Sequence, residues 1–484
     1  MPGSFNPSQP SNRPGLYVRF VTKANDALQT QEGDTVALPI RAQWGPVGVV
    51  TSITSERVLN NVFGQQGTGW LVADALRGGA GEVLAYRMAD NTAAKAAGAA
   101  AASGAASGIA LTAIYEGTLG NSIQPQVSEY LPDPTKDIFR LLASGVELEK
   151  FVYANADIDG LVTRLNNESA YVTATSFAVP STLLAHTTGA ALTGGNDGAA
   201  TLQTYTDALA AFQGAGDFEV ISVDSVATAV KEEFIDWVRE QNEAGNYLHG
   251  VFGAPIGSIA AAALLDALDW SQRAQNEHLV NVGGVNVVDR SGPDPARGAT
   301  QIYGGAEKAA YVAGLIANAR ISRGITYRSL GAETDVHLPL DDGELQAAQD
   351  GGVLTFAKRQ GVAKVESAVT TFTDYTPEKD STFSQIRAVR VMEQIGRDFE
   401  AIVGDGFIGV KNNTPETRNA LLKAIDGYLE QLAAVGAVLP GYIVELDPTQ
   451  DSVSGQSIFI QVQLQFGPEL LRVFLTLTAP TRIV

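Results

Sequence analysis

Phe218-Glu219-Val220-Ile221-Ser222-Val223 is followed by a helical pattern over 227–243 and then by a second apolar run, Leu248-His249-Gly250-Val251-Phe252. Short apolar runs separated by an amphipathic helix read as buried strands of a βαβ unit. The pattern extends both ways: 205–212 is helix-like, and 278–282 is another apolar run. Over 306–319, Ala309, Val312, Ala313, Ile316 and Ala317 space out a small-residue helix suited to close packing on a sheet. This alternation predicts an α/β core domain with a largely parallel sheet at 199–360.

Upstream, 109–115, 123–127, 138–142 and 171–175 are short β-type runs at turn-rich spacing. They predict a small β-sandwich or barrel domain at 106–198, inserted in or preceding the core and ending in a loop at 187–198. The Ala/Gly/Ser-rich stretch 91–108 marks a composition boundary, and 93–102 within it predicts a weak surface helix. An N-terminal α/β segment, 21–105, carries a strand at 35–40, which contains Pro39. Helical spacing follows in Val58, Leu59, Val62, Phe63 and in Leu71, Ala75, Leu76, then a strand, Val83-Leu84-Ala85-Tyr86-Arg87. Residues 1–20 read as an arm in which Pro2, Pro7, Pro10 and Pro14 lead into the β-rich Leu16-Tyr17-Val18-Arg19-Phe20. Such a lead buries too little surface to order itself without a partner.

Downstream, strands return over 353–373 and an α+β domain is expected at 361–484. Its first helix is signalled by Thr376-Pro377-Glu378 and repeats Phe383, Ile386, Val389, Met392, Ile395, Phe399 and Ile402 before Gly404. The second is signalled by Thr414-Pro415-Glu416 and repeats Leu421, Ile425, Tyr428 and Leu432 before Gly436. Closing strands are expected at 443–446, 457–466 and 470–478. Ile458, Ile460, Val462, Leu464 and Phe466 alternate with polar residues, the mark of a half-buried hairpin. The whole reads as an α+β multidomain protein around an α/β core, with extended terminal arms.

A length of 484 residues accommodates about three domains. The net charge of −20 sets up a field that repels phosphate and anionic head groups, so nucleic acid and direct membrane binding are not expected. The absence of cysteine removes disulfides, thiolate metal sites and cysteine nucleophiles together. Residues 96–115 are too weakly apolar for a membrane span, and 1–30 hold no apolar run of signal-peptide length.

Chemical motifs are sparse. Gly404, Gly406 and Gly409 spell GxGxxG, but the motif follows a helix instead of a strand and reads as a helix-terminating turn. There is no P-loop and no GxSxG elbow, and His186, His249, His278 and His337 are isolated in sequence. Gly194-Gly195-Asn196-Asp197-Gly198 lacks the further acids of a calcium loop and suits a tight turn. Asp341-Asp342 reads as a solvated loop. Acids and bases balance within 356–428, so Arg387, Arg390, Arg397, Lys411, Arg418 and Lys423 form a relatively basic region in an acidic chain. That points either to steering of an acidic protein partner or to ordinary pairing on helix surfaces.

Arg13-Pro14-Gly15-Leu16-Tyr17-Val18-Arg19-Phe20, Val36-Ala37-Leu38-Pro39 and Trp44-Gly45-Pro46 resemble the opening of contractile phage-type tail sheath proteins. Further landmarks of that family appear in the same order: Tyr115-Glu116-Gly117-Thr118-Leu119-Gly120-Asn121, Leu192-Thr193-Gly194-Gly195-Asn196-Asp197-Gly198, Ile386-Arg387-Ala388-Val389-Arg390-Val391 and Gly409-Val410-Lys411-Asn412-Asn413. Their collinearity across nearly the entire chain carries the resemblance.

The resemblance implies a structural subunit with no catalysis and no cofactor. Such subunits stack as hexameric rings around an inner tail tube and contract to drive the tube through a target envelope. Baseplate and tail terminator proteins would be further partners, and the place of action would be the virion tail, assembled in the host cytoplasm. The core would be subtilisin-like without protease function. Each terminal arm would add a strand to a neighbouring subunit, through Leu16, Tyr17, Val18, Arg19 and Phe20 at one end and Leu471, Val473 and Leu475 at the other. A C-terminal helix, 415–435, would grip the tube, with Lys411, Arg418 and Lys423 as contacts. The alternative from another class is a hydrolase with an α/β core and an accessory β-domain. Its discriminator is a cleft with clustered, shifted acids or a nucleophile–base pair.

Overall fold

The computed structural model describes residues 34–467 except 65–66, 102–107, 178–182, 217, 258–259, 285, 290–300, 332, 450–451 and 453–454. The N-terminal segment contributes β1 (Thr35–Ile40), β2 (Val50–Ile53), α1 (Glu56–Val62), α2 (Trp70–Gly78) and β3 (Glu82–Arg87). These elements are part of the core. A single seven-stranded sheet runs in the order β16-β12-β11-β10-β1-β3-β2, using β10 (Val220–Ser222), β11 (His249–Gly253), β12 (Leu279–Val282) and β16 (Val353–Leu354). Every pairing is parallel except β2 on β3. Val36 lies beside Val220 and Ala37 beside Ile221, so the early segment supplies the middle of the sheet.

Successive residues of these strands bury on opposite faces, as the period of two requires. Val36, Val220, Val251 and Val280 enter one core, and Ala37, Ile221, Phe252 and Leu279 enter the other. Helices cover both faces, which is why the strands are continuous apolar runs. The helices of this region are α4 (Leu202–Ala215), α5 (Thr228–Glu243), α6 (Ala260–Ala274), α7 (Gly305–Ala317) and α8 (Asp342–Asp350). The small residues of α7 have a direct use: a Cβ on Gly314 would collide with Ala75 O, and one on Gly78 with Tyr311 O. At the same crossing, Lys308 and Asp74 form a fully buried ion pair joining α7 to α2. Asp341 is exposed, as expected, and it also caps α8, accepting from Glu344 N at 2.8 Å while Asp341 N donates to Glu344 Oε2 at 2.9 Å.

Between β3 and α4 the chain builds a separate unit. One antiparallel sheet joins β4 (Lys95–Ala101), β5 (Gly108–Glu116) and β9 (Val172–Phe177). Another joins β6 (Ile123–Glu129), β7 (Lys136–Ala143) and β8 (Val146–Ala154), and α3 (Ile158–Glu168) packs against them. Ile109 and Leu111, Phe139 and Leu141, and Leu161 and Leu165 share one core. The expected surface helix at 93–102 is therefore the strand β4. Alanine's helical propensity is overridden by pairing to β5, by burial of Ala96 and Ala100, and by Leu192 lying where a side chain on Gly98 would go.

The remaining strands of the 199–360 region and its exit are β13 (Asn286–Asp289), β14 (Gln301–Tyr303), β15 (Glu333–His337), β17 (Phe356–Arg359) and β18 (Val362–Val365). The C-terminal unit consists of α9 (Ile386–Gly406), α10 (Pro415–Ala434), β19 (Ile443–Leu446) and β20 (Ile460–Gln463). The first helix starts at Ile386, ten residues after the Thr376 signal. Thr376 N instead donates to Lys379 O at 2.8 Å in a turn, and Asp380 caps a short 3-10 segment over 381–384. The second helix starts where expected: Thr414 Oγ1 accepts from Thr417 N at 3.2 Å and Pro415 takes the first helical position. Ile458, Ile460, Val462, Leu464 and Phe466 all pack on the core between α9 and α10, which is the face their alternation predicts. The strand expected at 470–478 and the β-rich residues 16–20 lie outside the described residues.

Candidate functional site

Three of the landmarks quoted from the sequence, at 44–46, 115–121 and 192–198, converge on one place, the joint between the inserted unit and the core. Asn121 Nδ2 donates to Gly195 O at 2.9 Å, and Gly195 N donates back to Asn121 Oδ1 at 2.8 Å. Thr118 donates to Asp197 Oδ1 from its backbone N at 2.6 Å and from its hydroxyl at 3.0 Å. Asp197 thus holds a neighbouring turn, and Gly194 and Gly198 supply the positive φ of 87° and 76° that the loop needs. Trp44 stacks at 6.0 Å on Tyr171 and meets Tyr115 edge-on at 5.4 Å. Arg87, at the end of β3 and fully buried, donates from Nη1 to Gly45 O at 2.7 Å and to Glu116 O at 2.8 Å. Burial pushes its guanidinium below the usual value, against the pull of Asp197 and Glu116. The sequence offered one signal for this residue, a cation closing an apolar strand.

The C-terminal unit presents the residues expected to touch a tube. Lys411 and Lys423 are exposed, but Arg418 is not. Its Nη1 donates to Asn413 Oδ1 at 2.7 Å, tying the start of α10 to the preceding loop, so it is removed from the contact set. The relatively basic character of the region is spent in the same way. Arg387 donates to Gly467 O at 2.6 Å, Arg390 to Ala319 O at 2.5 Å and Arg397 to Tyr247 O at 2.7 Å. These guanidiniums pair with carbonyls inside the molecule, and the exposed face of α10 carries Glu416, Asp426 and Glu430 around Lys423. The outward charge of α10 is therefore acidic, which, of the two readings of this region, favours pairing within the molecule over steering by a basic surface. The strand-addition residues Leu16, Tyr17, Val18, Arg19, Phe20, Leu471, Val473 and Leu475 lie outside the described residues. A candidate acceptor does not: β19 and β20 form a two-stranded antiparallel ribbon, and Ile443 at its edge is 46% exposed.

Two histidines that are isolated in sequence meet in space. His249 on β11 and His278 before β12 each place Nδ1 at 2.7 Å from one oxygen of Glu393 on α9. Burial alone would raise the Glu393 carboxyl, but the two imidazoles outweigh it and hold it well below the usual carboxylate range. Burial lowers His249, opposed by Glu393. Beside this cluster is a cleft of about 280 Å³ lined by Glu277, His278, Glu378, Lys379, Phe383, Val389 and Met392. Glu277 pairs with Lys379, and His278 with Lys379 outweighs burial to keep the Glu277 carboxyl low. His186, His249 and His278 each bond a carboxylate through the ring, and His249 Nε2 is buried without a partner. No grouping of three metal-ligating side chains suited to an ion occurs among the described residues. No described helix is long and apolar enough to cross a membrane.

Three family models match in order along the chain. The Tail sheath protein Gp18 domain III N-terminal region covers 35–88, the Phage tail sheath protein central domain 198–371, and the Phage tail sheath C-terminal domain 378–477. The inserted unit falls between the first two. A solved sheath tail protein from Desulfitobacterium hafniense is 25% identical, with a TM-score of 0.72 over 93% of this chain and 100% of that one. Phage-like element PBSX protein XkdK of Bacillus subtilis (strain 168) is 25% identical over 410 residues, 82% of this chain and 80% of its own. The helical sheath of the anti-feeding prophage in its contracted state shares the fold at 12% identity, with a TM-score of 0.54 over 97% of this chain and 100% of that one.

Proposed function

The chain belongs to the phage tail sheath family, and we propose that it polymerises as stacked hexameric rings around an inner tail tube and contracts to drive that tube through a target envelope. The observation that carries this reading is the match of three sheath domains in order, on a fold that superposes on a sheath tail protein along nearly its whole length. The mostly parallel, helix-flanked sheet supports a subtilisin-like core used as a scaffold.

In this reading the C-terminal unit faces the tube, with Lys411 and Lys423 among the contacts. The ribbon of β19 and β20 accepts a strand donated by a neighbour, with Leu16 to Phe20 or Leu471, Val473 and Leu475 as the donated residues. Backbone bonds on such an edge give affinity, and the alternating side chains give register. Stored energy resides in the lattice: assembly on the tube holds an extended arrangement, and contraction releases the difference between two packings. Baseplate and tail terminator proteins bound the polymer, and the subunit works in the virion tail after assembly in the host cytoplasm.

Negative-stain electron microscopy of the concentrated full-length protein, beside a variant lacking residues 1–18, tests this. Tubes or hexameric rings are expected from the full chain, and folded particles that do not polymerise from the truncation. Intact tubes from the truncated chain would sink strand donation by the N-terminal arm. Assemblies of another symmetry from the full chain would sink the ring model.

A further inference from the structure

We infer that the contact between the C-terminal helical unit and the α/β core is an acid-releasable seam, centred on the side chains of His249, Glu393 and His278. The two faces of α9 differ in kind. Val391, Ile395, Phe399 and Val403 point into the core shared with α10, where Leu421, Ile425, Leu429 and Leu432 meet them. Towards the α/β core the same helix turns Arg390, Glu393 and Arg397, at the spacing of one helical face. Arg390 reaches Ala319 O, Arg397 reaches Tyr247 O, and Glu393 reaches both imidazoles. Gly396 lets Tyr247 lie directly against the helix, since a Cβ there would collide with the ring. Apolar contacts at the start of α9 add to the seam: Ile386 in the main core, and Met392 with Phe372 and Phe383. The middle of the seam is polar, while α9 and α10 are joined by hydrocarbon. The α/β core contributes only Ile321 to that cluster, so the two helices can leave the core together with their shared interior opened at that one contact.

Acid acts on this seam in a definite direction. His249 is fully buried, Glu393 occupies its Nδ1, and its Nε2 has no acceptor, so a second ring proton is disfavoured while the seam is closed. On opening, the ring recovers its ordinary affinity for a proton, near pH 6.5. A group whose value is depressed in the closed state supports closure above its ordinary value and loses that support as the pH falls below it. Glu393 and Glu277 are also depressed and act in the same direction, but only below the usual carboxylate range. Glu219, just before β10, is raised by burial and acts oppositely. Burial pushes Tyr247 up to about 12, so it stays neutral throughout. Lys379, paired with Glu277, and Glu378 face the same cleft, while Arg390, Arg397 and Glu400 complete the charges around the cluster. The onset is therefore set by His249, near pH 6.5.

Hydrogen exchange of the dilute full-length chain at pH 7.5, 6.5 and 5.5, corrected for intrinsic rates, tests the seam. An opened histidine is about nine-tenths protonated at pH 5.5 and about one-tenth at pH 7.5, so opening should become about tenfold more frequent. Peptides from 386–406 and 415–434 should lose about tenfold protection together, while 108–116 and 136–154 in the inserted unit hold theirs. His249→Gln keeps an N–H donor for Glu393 but does not titrate, and should abolish the pH dependence. An unchanged pH response in that variant overturns the proposal. If that variant does not fold, the wild-type pattern decides: equal loss in the inserted unit, or no loss in 386–434, overturns the proposal.

Discussion

Removing one member of the Asp74–Lys308 pair should cost far more than removing both. Lys308 Nζ donates to Asp74 Oδ2 at 3.0 Å and to Oδ1 at 3.3 Å, and the two side chains are 0% and 1% exposed. The ammonium also lies 4.5 Å from the centre of the Tyr303 ring and 5.3 Å from that of Tyr311. In Asp74→Ala that cation remains buried without its carboxylate, and in Lys308→Met the carboxylate remains without its cation. Each should lower stability by about 3–5 kcal/mol. The double variant buries no charge and keeps most of the hydrocarbon stem, so its loss should be about 0–2 kcal/mol, mainly for the small void left by the Asp74 carboxylate. Urea unfolding followed by tryptophan fluorescence reads the effect in the right place. Trp44, Trp70, Trp237 and Trp270 all lie outside the C-terminal unit, and the Trp70 ring is 5.1 Å from Tyr303. A double-variant loss equal to the sum of the singles would refute the coupling. A loss under about 1 kcal/mol for Asp74→Ala would refute the burial argument itself. The pair spans 234 residues of sequence, so the result also reports how firmly the early segment is built into the core.

Arg418→Ala should destabilise the start of α10 by about 1.5–3 kcal/mol, since it removes a charge-assisted bond to Asn413. Lys411→Ala and Lys423→Ala, both on the surface, should change stability by no more than about 0.5 kcal/mol. Proteolysis of 411–415 compared among the three variants separates them, and equal susceptibility would return Arg418 to the surface set. Lys231, buried over the Trp270 ring at 4.6 Å, is lowered by burial to about 8. Its folded form binds its proton less tightly than the unfolded form, so stability should rise with pH between about 8 and 10.5. Lys231→Met should remove that slope and add about 1–3 kcal/mol at pH 7, as read by urea titrations across the range. A destabilised variant would mean that the ring contacts outweigh the burial of the cation.

The sequence was most legible where one short-range rule decided the outcome. Apolar runs of Val, Ile and Leu became the parallel strands, Thr414-Pro415 became a helix start, and the alternation at 458–466 found its buried face. It misled where a local rule met a stronger distant contact. Alanine at 93–102 favours helix until β5 offers a ladder, and Thr376-Pro377 has the form of a cap but closes a turn with Lys379. Helix α6 escaped because Leu265, 67% exposed, blurs the period set by Leu264, Ala267 and Trp270. Arg390 and Arg397 looked like surface charge, since nothing nearby in sequence announces the carbonyls of Ala319 and Tyr247. The His249–Glu393 contact spans 144 residues, so only the fold could assemble it.

The two joints of the molecule are built from different chemistry, and this sets where it can respond to its surroundings. The joint to the inserted unit relies on amide groups, carbonyls, a hydroxyl, Asp197 and Arg87. None of these is a histidine, the side-chain type that ordinarily titrates between pH 5 and 8. The joint to the C-terminal unit has histidines at its centre, the side-chain type whose ordinary titration falls inside that window. Before assembly the second joint alone carries a charge that mild acid can add. Packing in a lattice would oppose separation of the C-terminal unit, because neighbours that bind only the closed form stabilise it by mass action. The exchange response at 386–434 should therefore be large in the free subunit and suppressed once it is polymerised. A sheath that frayed equally at pH 5.5 would place the seam outside the lattice contacts.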